Sequence, residues 1–313
     1  MTTTKAKSAR DAAIAVAERM KARMADPRRV WGQPYPYDTL NTILGGIHPS
    51  EMTILEARPS GGKTQTMVQT AESVTTNLLT DEGQRDFPGG VVKLVLCEGT
   101  AEGFMKRWAI LRSGVSSRRV ADGSIREFPE KAQRFLAELK AVSKLPVEFL
   151  DSGQSLDEVV RFLTTGNTAW WALDYVQKCP LSPSRPNDGG VNAITLISGA
   201  LSEVAKLKAP GLVLAHTVRE VDKREDRRPK LGDIKGGSAL EGDARVVLGL
   251  YSEWIYEKLT EENVGKPKQS ELLILKNNDG EGVGRRVDLL FHPKKGSFQD
   301  VTELLAEEQD DDS

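Results

Sequence analysis

Met52-Thr-Ile-Leu-Glu-Ala-Arg-Pro-Ser-Gly-Gly-Lys-Thr64 reads as an apolar β-strand running into a glycine-bearing loop, with a helical segment over 65–79 behind it. The loop 57–64 sets Gly62, Lys63 and Thr64 in the G-K-[ST] positions of a Walker A motif, although Ala57 stands where that pattern has its first glycine. Successive backbone N–H groups at a helix N-terminus attract a polyphosphate. Lys63 is placed to reach its β/γ oxygens, and Thr64 to hold Mg²⁺. The alternative is a plain strand-turn-helix connection that happens to contain Gly-Gly-Lys-Thr. The apolar strand before it and the helix after it weigh against that.

Working outward, 313 residues provide for a full α/β domain of about 250 residues with appendages. No run approaches the roughly 18 apolar residues of a membrane span, and Met1-Thr-Thr-Thr-Lys5 lacks the apolar stretch of a signal peptide. A soluble, cytoplasmic protein with no membrane partner is expected. Cys97 and Cys179 are the only cysteines, far apart and without other ligands at metal spacing. They read as core thiols rather than as a disulfide scaffold or a zinc site. The net charge of −2 conceals an asymmetry, because 301–313 hold six acids and no base and leave the rest of the chain at +4. Such a tail is either a solvated end or a docking peptide for a basic partner.

Residues 5–24 place Ala13, Val16, Ala17, Met20 and Met24 at helical spacing. This amphipathic helix packs either on a neighbouring subunit or on its own core. Asp26-Pro27 ends it, and 28–37 form an extended linker. The apolar run 90–96 ends in Cys97-Glu98 and leads into a helix over 101–112; a helix over 127–142, a strand over 146–150 and a helix over 155–163 follow. Ala169-Trp-Trp-Ala-Leu-Asp-Tyr-Val-Gln177 is then predicted as a strand carrying Asp174, the shape of a Walker B element. In open parallel sheets the carboxyl edge of the strands faces the ligand. Glu98 is therefore a candidate to orient or deprotonate an attacking water, and Asp174 to hold Mg²⁺ through a water. A solvated Glu98 and a turn-capping Asp174 are the alternatives.

Residues 179–190, rich in Pro, Ser, Asn and Gly, are predicted as a loop, followed by a helix over 193–208 and a strand over 212–215 that ends in His216. His216 is either a γ-phosphate contact or a core histidine. Residues 219–235 carry seven bases and five acids, a solvated segment by charge alone. It ends in Lys235-Gly236-Gly237-Ser238, whose glycines would let N–H groups approach a phosphate that Lys235 neutralises. Strands over 245–251 and 271–275, a turn over 277–280 and a strand over 285–291 close the chain as a hairpin. The alternation predicts an α/β fold, a mostly parallel sheet flanked by helices with a C-terminal antiparallel hairpin.

From residue 35 to about 301 the chain resembles the C-terminal RecA-like motor domain of DnaB-type replicative helicases. The resemblance is carried by Leu40-Asn41 with Gly45-Gly46, by 57–64, by Asp174-Tyr-Val-Gln177, and by 228–235 followed by Ala239-Leu-Glu-Gly-Asp-Ala244. That family also tolerates alanine at the first Walker A position. The resemblance implies a RecA-like P-loop NTPase core over 35–302, preceded by a linker segment over 1–34 and followed by an acidic disordered tail over 303–313. It implies a ring, usually a hexamer, with ATP between subunits and single-stranded DNA in the channel. Arg58, Pro59, Ser60, Gly61, Gly62, Lys63, Thr64 and Gln65 would hold the nucleotide, and Thr64 and Asp174 the Mg²⁺. Glu98 would be the catalytic carboxylate, and His216 stands where the family has a glutamine that senses the γ-phosphate. Loops 180–190 and 227–238 would grip DNA, with Arg185, Lys235, Gly236, Gly237 and Ser238 as contacts. Helix 5–24 matches the linker helix that docks on the adjacent subunit.

Two departures stand out. The family motif Lys-x-Arg, whose arginine reaches the neighbour's ATP, here reads Lys276-Asn277-Asn278. Such a finger is worth about 10³–10⁵ in rate, roughly 4–7 kcal/mol of barrier. Arg285 or Arg286 would have to substitute, with Lys276 a further candidate for the γ-phosphate; otherwise hydrolysis is slow. Only about thirty residues precede the core, so the family's collar and its primase docking are not expected. The leading reading is an ATP-driven translocase and DNA helicase of phage, plasmid or mobile-element replication, working in a bacterial or phage-infected cell. Its acidic tail would meet a loader or another replication protein. A RecA-family ATPase acting as recombination factor, loader or nucleotide-switched assembly is the second, and an interaction module with a vestigial ATP site the third.

Overall fold

The computed structural model describes residues 8–25, 30, 32–181, 191–257, 260, 265–278, 280 and 282–302. In chain order the strands are β1 (Met52–Ala57), β2 (Val91–Leu96), β3 (Val147–Leu150), β4 (Thr168–Asp174), β5 (Gly211–His216), β6 (Val246–Ser252), β7 (Lys268–Asn277), β8 (Arg286–His292) and β9 (Ser297–Asp300). The helices are α1 (Ala9–Ala25), α2 (Asp38–Leu44), α3 (Lys63–Leu78), α4 (Asp81–Asp86), α5 (Ala101–Ser113), α6 (Ser117–Ala121), α7 (Pro129–Val142), α8 (Leu156–Thr164), α9 (Val191–Leu207) and α10 (Ser238–Asp243).

These nine strands join one sheet in the order β3-β2-β4-β5-β1-β6-β7-β8-β9. The first six run parallel and β7, β8 and β9 are antiparallel. Central parallel strands are covered on both faces, which is why β1, β4 and β5 are near-continuous apolar runs without alternation. Leu55 and Ala57 share one apolar cluster with Met67 and Val74 of α3 and with Phe104 and Trp108 of α5. Ile54 and Val213 share the opposite cluster with Val159 of α8 and Ile197 and Leu201 of α9. With β1 between β5 and β6, the loop after β1 opens at the carboxyl edge of the sheet, beside the ends of β4 and β5.

The predicted parallel sheet with helices on both faces is what forms. Some elements differ. The strand expected over 169–177 ends at Asp174, and Val176–Lys178 is a short 3₁₀ turn. The terminal hairpin gains β9, a four-residue strand with one buried aromatic, Phe298, too short to show a period. Helices α2, α4, α6 and α10, of five to seven residues, lack the two turns a 3.6-residue pattern needs. The helix expected over 155–163 is fixed by a capping box, with Ser155 as N-cap and Glu158 reaching back to it. Along α1, Ile14, Val16, Met20 and Met24 are exposed, so that stripe does not pack on this chain's own core.

Residues 182–190 with Arg185, the linker positions 26–29 and 31, and the tail 303–313 lie outside the described residues. Among those that are described, no helix is long and apolar enough to cross a membrane.

Candidate nucleotide site

The turn from β1 into α3 has the backbone of an anion cradle. Ser60 (φ 61°) and Gly62 (φ 100°) take the left-handed conformation. A Cβ on Gly62 would lie 2.3 Å from the ring of Phe298, so only glycine fits there. The Gly61 N–H donates to the Arg58 carbonyl at 3.1 Å, and the Ser252 hydroxyl donates to the Gly61 carbonyl at 3.0 Å, pinning the loop to β6. Helix α3 starts at Lys63, which turns its unpaired N–H groups toward the mouth of the loop.

Lys63 folds its ammonium back onto the loop, donating to the carbonyls of Ala57 (2.7 Å) and Arg58 (3.0 Å). Burial pulls its pKa down to about 8, partly opposed by the charge of Asp174. The Thr64 hydroxyl donates to Asp174 Oδ2 at 2.7 Å. Burial raises the Asp174 carboxyl, and the Thr64 bond and Lys63 act against it. The Walker A and Walker B side chains, far apart in sequence, are therefore in direct contact.

Glu98 leaves the end of β2 exposed to solvent, and its N–H donates to the Asp174 carbonyl at 3.2 Å. The Tyr175 hydroxyl is beside its carboxylate, and burial first, then the Glu98 charge, push that hydroxyl up. The Tyr175 ring stacks on His216, centroids 4.0 Å apart and planes 16° from parallel. Burial first, then the charges of Lys63 and Lys235, push the His216 imidazole down to about 4, so it is neutral at pH 7. The His216 N–H donates to Gln177 Oε1 (3.2 Å), the Gln177 amide donates to the Lys235 carbonyl (2.8 Å), and the Lys235 N–H donates to the His216 carbonyl (2.8 Å). This closed circuit joins the ends of β4 and β5 to the segment 235–238. Gln177 belongs to the Asp174-Tyr-Val-Gln177 motif, but the sequence alone gives it no task.

Lys63, Thr64, Glu98, Asp174, Tyr175 and His216 line one cavity of about 700 Å³ with Pro59, Ser60, Gly62, Gln65 and the start of α5. Two cations on its wall were not anticipated, Arg107 of α5 and Lys295 in the β8–β9 turn. Nothing local marks either as a site residue. Arg107 lies on a helix whose charged face looks solvated, and Lys295 reaches the cavity only because β9 returns past α3.

Other predicted residues are placed elsewhere. Arg58 forks onto Asp222 (2.9 and 2.5 Å) and donates to the Thr217 carbonyl at 3.1 Å. Its side chain anchors the loop to 219–223 instead of facing the cavity, which corrects its place among the nucleotide contacts. Lys276 donates to the carbonyls of Glu241 (2.6 Å) and Ala244 (2.7 Å) and caps the C-terminus of α10. It is not part of this chain's cavity either. The β7–β8 connection starts at the opposite sheet edge, since Asn277 pairs with Val246, which is level with Thr53 at the start of β1; Arg286, paired with Leu273, is back level with Glu56 but three strands across the sheet from β1, and neither arginine lines the cavity. Arg286 is tied to Glu271 (3.3 Å) and Asp288 (3.1 Å). Arg285 is exposed, with no side-chain bond to any described residue. Lys235 is exposed, Gly236 is left-handed, and Gly237 and Ser238 open α10.

No group of three or more His, Cys, Asp or Glu among the described residues makes a protein-only metal cage. The Thr64 hydroxyl and Asp174 carboxylate are instead a pair of hard oxygen donors. That fits Mg²⁺, which keeps several waters and takes few protein ligands.

Residues 32–300 match the family model described as the DnaB-like helicase C terminal domain. The chain is similar to the replicative DNA helicase DnaB of Rickettsia bellii, 28% identical over 239 residues, which is 74% of this chain and 47% of that protein. It is also similar to the replicative DNA helicase DnaC of Bacillus subtilis, 26% identical over 276 residues, covering 86% and 56% respectively. The chain thus spans about half the length of these curated relatives. Its fold superposes on a solved ATPase domain with a TM-score of 0.79, at 24% identity over 95% of this chain and 99% of that one. A DnaB-like replicative helicase, solved in a study of its interactions with primase, gives a TM-score of 0.77 at 25% identity, covering 95% of this chain and 68% of that one. The architecture is the RecA-like one that the resemblance implied.

Proposed function

The chain belongs to the DnaB-like helicase C-terminal domain family, and from that premise we propose that it is an ATP-hydrolysing motor that forms a ring, a hexamer of identical chains, on single-stranded DNA. In this reading it acts as a DNA helicase in replication, in a bacterial or phage-infected cell. The observation that carries it is the contact of Thr64 with Asp174 inside a cavity shared with Lys63, Glu98 and His216.

The roles follow from the chemistry of the side chains. Lys63 exchanges its two carbonyl partners for phosphate oxygens, and the backbone of 59–65 cradles the rest. Thr64 and Asp174 would hold Mg²⁺, which when bound supplies charge neutralisation at the phosphates. Glu98, solvated and oriented by Tyr175, takes the proton of the attacking water, giving ADP and phosphate. His216, held neutral, donates one hydrogen bond to the γ-phosphate. Its backbone circuit through Gln177 connects that contact to Lys235 and Gly236-Gly237-Ser238, which with Arg185 would meet the DNA backbone. Helix α1, whose apolar stripe is bare on this chain, docks on the next subunit. The tail over 303–313 is offered to a loader or another replication protein.

Arg285 and Arg286 do not line this chain's own cavity and stand three strands across the sheet from β1, so they would serve a second copy. Arg285 is the one with its charge uncommitted. The test is ATP turnover with and without single-stranded DNA, alongside Lys63→Ala. Nucleotide binding without stimulation by DNA would sink the motor. One observation favours the second reading, a nucleotide-switched RecA-family assembly that does not unwind: Lys276 is capping α10 and Asn278 stands where the family's arginine would be. Forked-duplex unwinding separates the two.

A further inference from the structure

The two cysteines, remote in sequence, meet beside the cavity. The register of β2 on β4 sets Leu96 opposite Asp174, so the two strands exit side by side. Cys97 is the first residue after β2, and Cys179 closes the 3₁₀ turn after β4, its N–H donating to the Val176 carbonyl at 3.1 Å. Both side chains pack against the same apolar cluster under α8 and α9. The two thiols are close enough to act on each other, Cys179 pushing the Cys97 thiol up and Cys97 pulling the Cys179 thiol down. Both are free thiols, Cys97 part exposed and Cys179 buried. Their chain neighbours are telling. Cys97 precedes Glu98, and Cys179 precedes Pro180, whose carbonyl receives the Leu156 N–H at 2.9 Å as α8 begins.

We propose that Cys97 and Cys179 form a thiol–disulfide modification site, which a low-molecular-weight disulfide closes into an intramolecular Cys97–Cys179 bond. This goes beyond the nucleotide-site reading, and its chemistry does not depend on that reading. The part-exposed Cys97 is the thiol the oxidant reaches; Cys179 and burial push its thiol up, so its attack as thiolate on one sulfur of RS–SR, forming a mixed disulfide and releasing RS⁻, is the slow step. Cys179, as thiolate, then attacks the Cys97 sulfur and displaces the second RS⁻. The two protein protons end on two RSH, the protein loses two electrons, and the oxidant gains them. The proximity of the thiols prepares the second step, because it sets Cys179 beside the Cys97 sulfur that it must attack. The closed bond ties the strand exit bearing Glu98 to the root of the segment that leads into 182–190.

The chain contains only these two cysteines, which makes the test unambiguous. The native full chain is exposed to oxidised glutathione, desalted, and examined by thiol titration, intact mass and non-reducing gel. The expected result is loss of both thiols together, a mass lower by two hydrogens, no cross-linked dimer, and recovery of both thiols with dithiothreitol. Cys179→Ser should instead stop at one glutathione adduct on Cys97. ATP turnover should fall with thiol loss and return on reduction. If the reduced protein shows no turnover, the nucleotide reading fails while the thiol result stands. A stable glutathione adduct or a cross-linked dimer in the wild type overturns the proposal. So do two titratable thiols that persist while the urea-unfolded chain loses both.

Discussion

Replacing Glu56 by glutamine should remove a pH-dependent weakness from the centre of the sheet. Glu56 is the penultimate residue of β1 and fully buried, and neither carboxyl oxygen has a hydrogen-bond partner. The Thr217 hydroxyl lies beside it without a well-aligned partner of its own. Burial, reinforced by the charge of Asp233, which itself pairs with Arg224 at 2.6 Å, pushes the Glu56 carboxyl from 4.5 up to about 9. The folded chain therefore keeps this proton at pH 7, and the unfolded chain gives it up. Between 4.5 and 9 the native state binds one more proton than the unfolded state, so stability falls as pH rises across that window. The contribution is complete below 4.5 and lost as pH climbs through 9.

The slope for one such proton is about 1.4 kcal/mol per pH unit, or about 2.7 kcal/mol between pH 6 and pH 8. Glutamine has nearly the same shape and does not titrate. Urea unfolding of wild type and Glu56→Gln at pH 6, 7 and 8 reads the effect. The stability difference should move in favour of Gln by about 1.4 kcal/mol per pH unit. The comparison cancels every other titrating group and any constant packing cost of the amide. A difference that stays flat, or that moves in favour of Glu56, refutes the reasoning.

Other outcomes follow from the cavity and the hairpin. Lys63, its ammonium on the Ala57 and Arg58 carbonyls, sits near 8, and bound polyphosphate raises it again, so nucleotide binding at pH 8 should take up about half a proton per site. Calorimetry in buffers of different ionisation enthalpy measures this, and a buffer-independent heat would contradict it. Arg285→Ala should cut ATP turnover by about 10³-fold with nucleotide affinity retained, whereas Arg286→Ala, whose charge is already shared with Glu271 and Asp288, should cost less than about tenfold. Equal effects would remove the distinction. Lys235→Ala should weaken single-stranded DNA binding and flatten its log–log salt dependence by about 0.7; an unchanged slope would take Lys235 out of the phosphate contacts.

The sheet was readable because buried parallel strands announce themselves as apolar runs, and 52–57, 91–96 and 168–174 differ sharply from the charged helices between them. Lys63, Thr64, Asp174, Glu98 and His216 were readable for a related reason: each stands at the carboxyl end of such a run, and a parallel sheet brings those ends to one edge. Arg107 and Lys295 obey no such rule. They enter the cavity from a helix face and a turn whose positions depend on tertiary packing. The tasks of Arg58 and Lys276 were hidden in the same way. A motif fixes where the backbone goes, but Asp222 and the carbonyls of α10 decide where those two charges are spent. The Cys97–Cys179 contact was invisible for want of strand order, since only the pairing of β2 with β4 makes the two exits neighbours.

The charges around the site then sort by whether they line the chain's own cavity. Lys63, Arg107 and Lys295 are at the carboxyl edge and face the chain's own cavity. Lys276, Arg285 and Arg286 are not on its wall: Lys276 is turned onto the carbonyls of α10, and Arg286, level with Glu56 through Leu273 and Gly249, stands on β8, three strands across the sheet from β1. Neighbouring strands lie about 4.8 Å apart, so that lateral separation is roughly 14 Å across the sheet. The asparagine at 278 therefore leaves the chain's own cavity with the cations it already has. What it removes is a charge that one copy would lend to another, and of Lys276, Arg285 and Arg286 only Arg285 has no side-chain bond to a described residue.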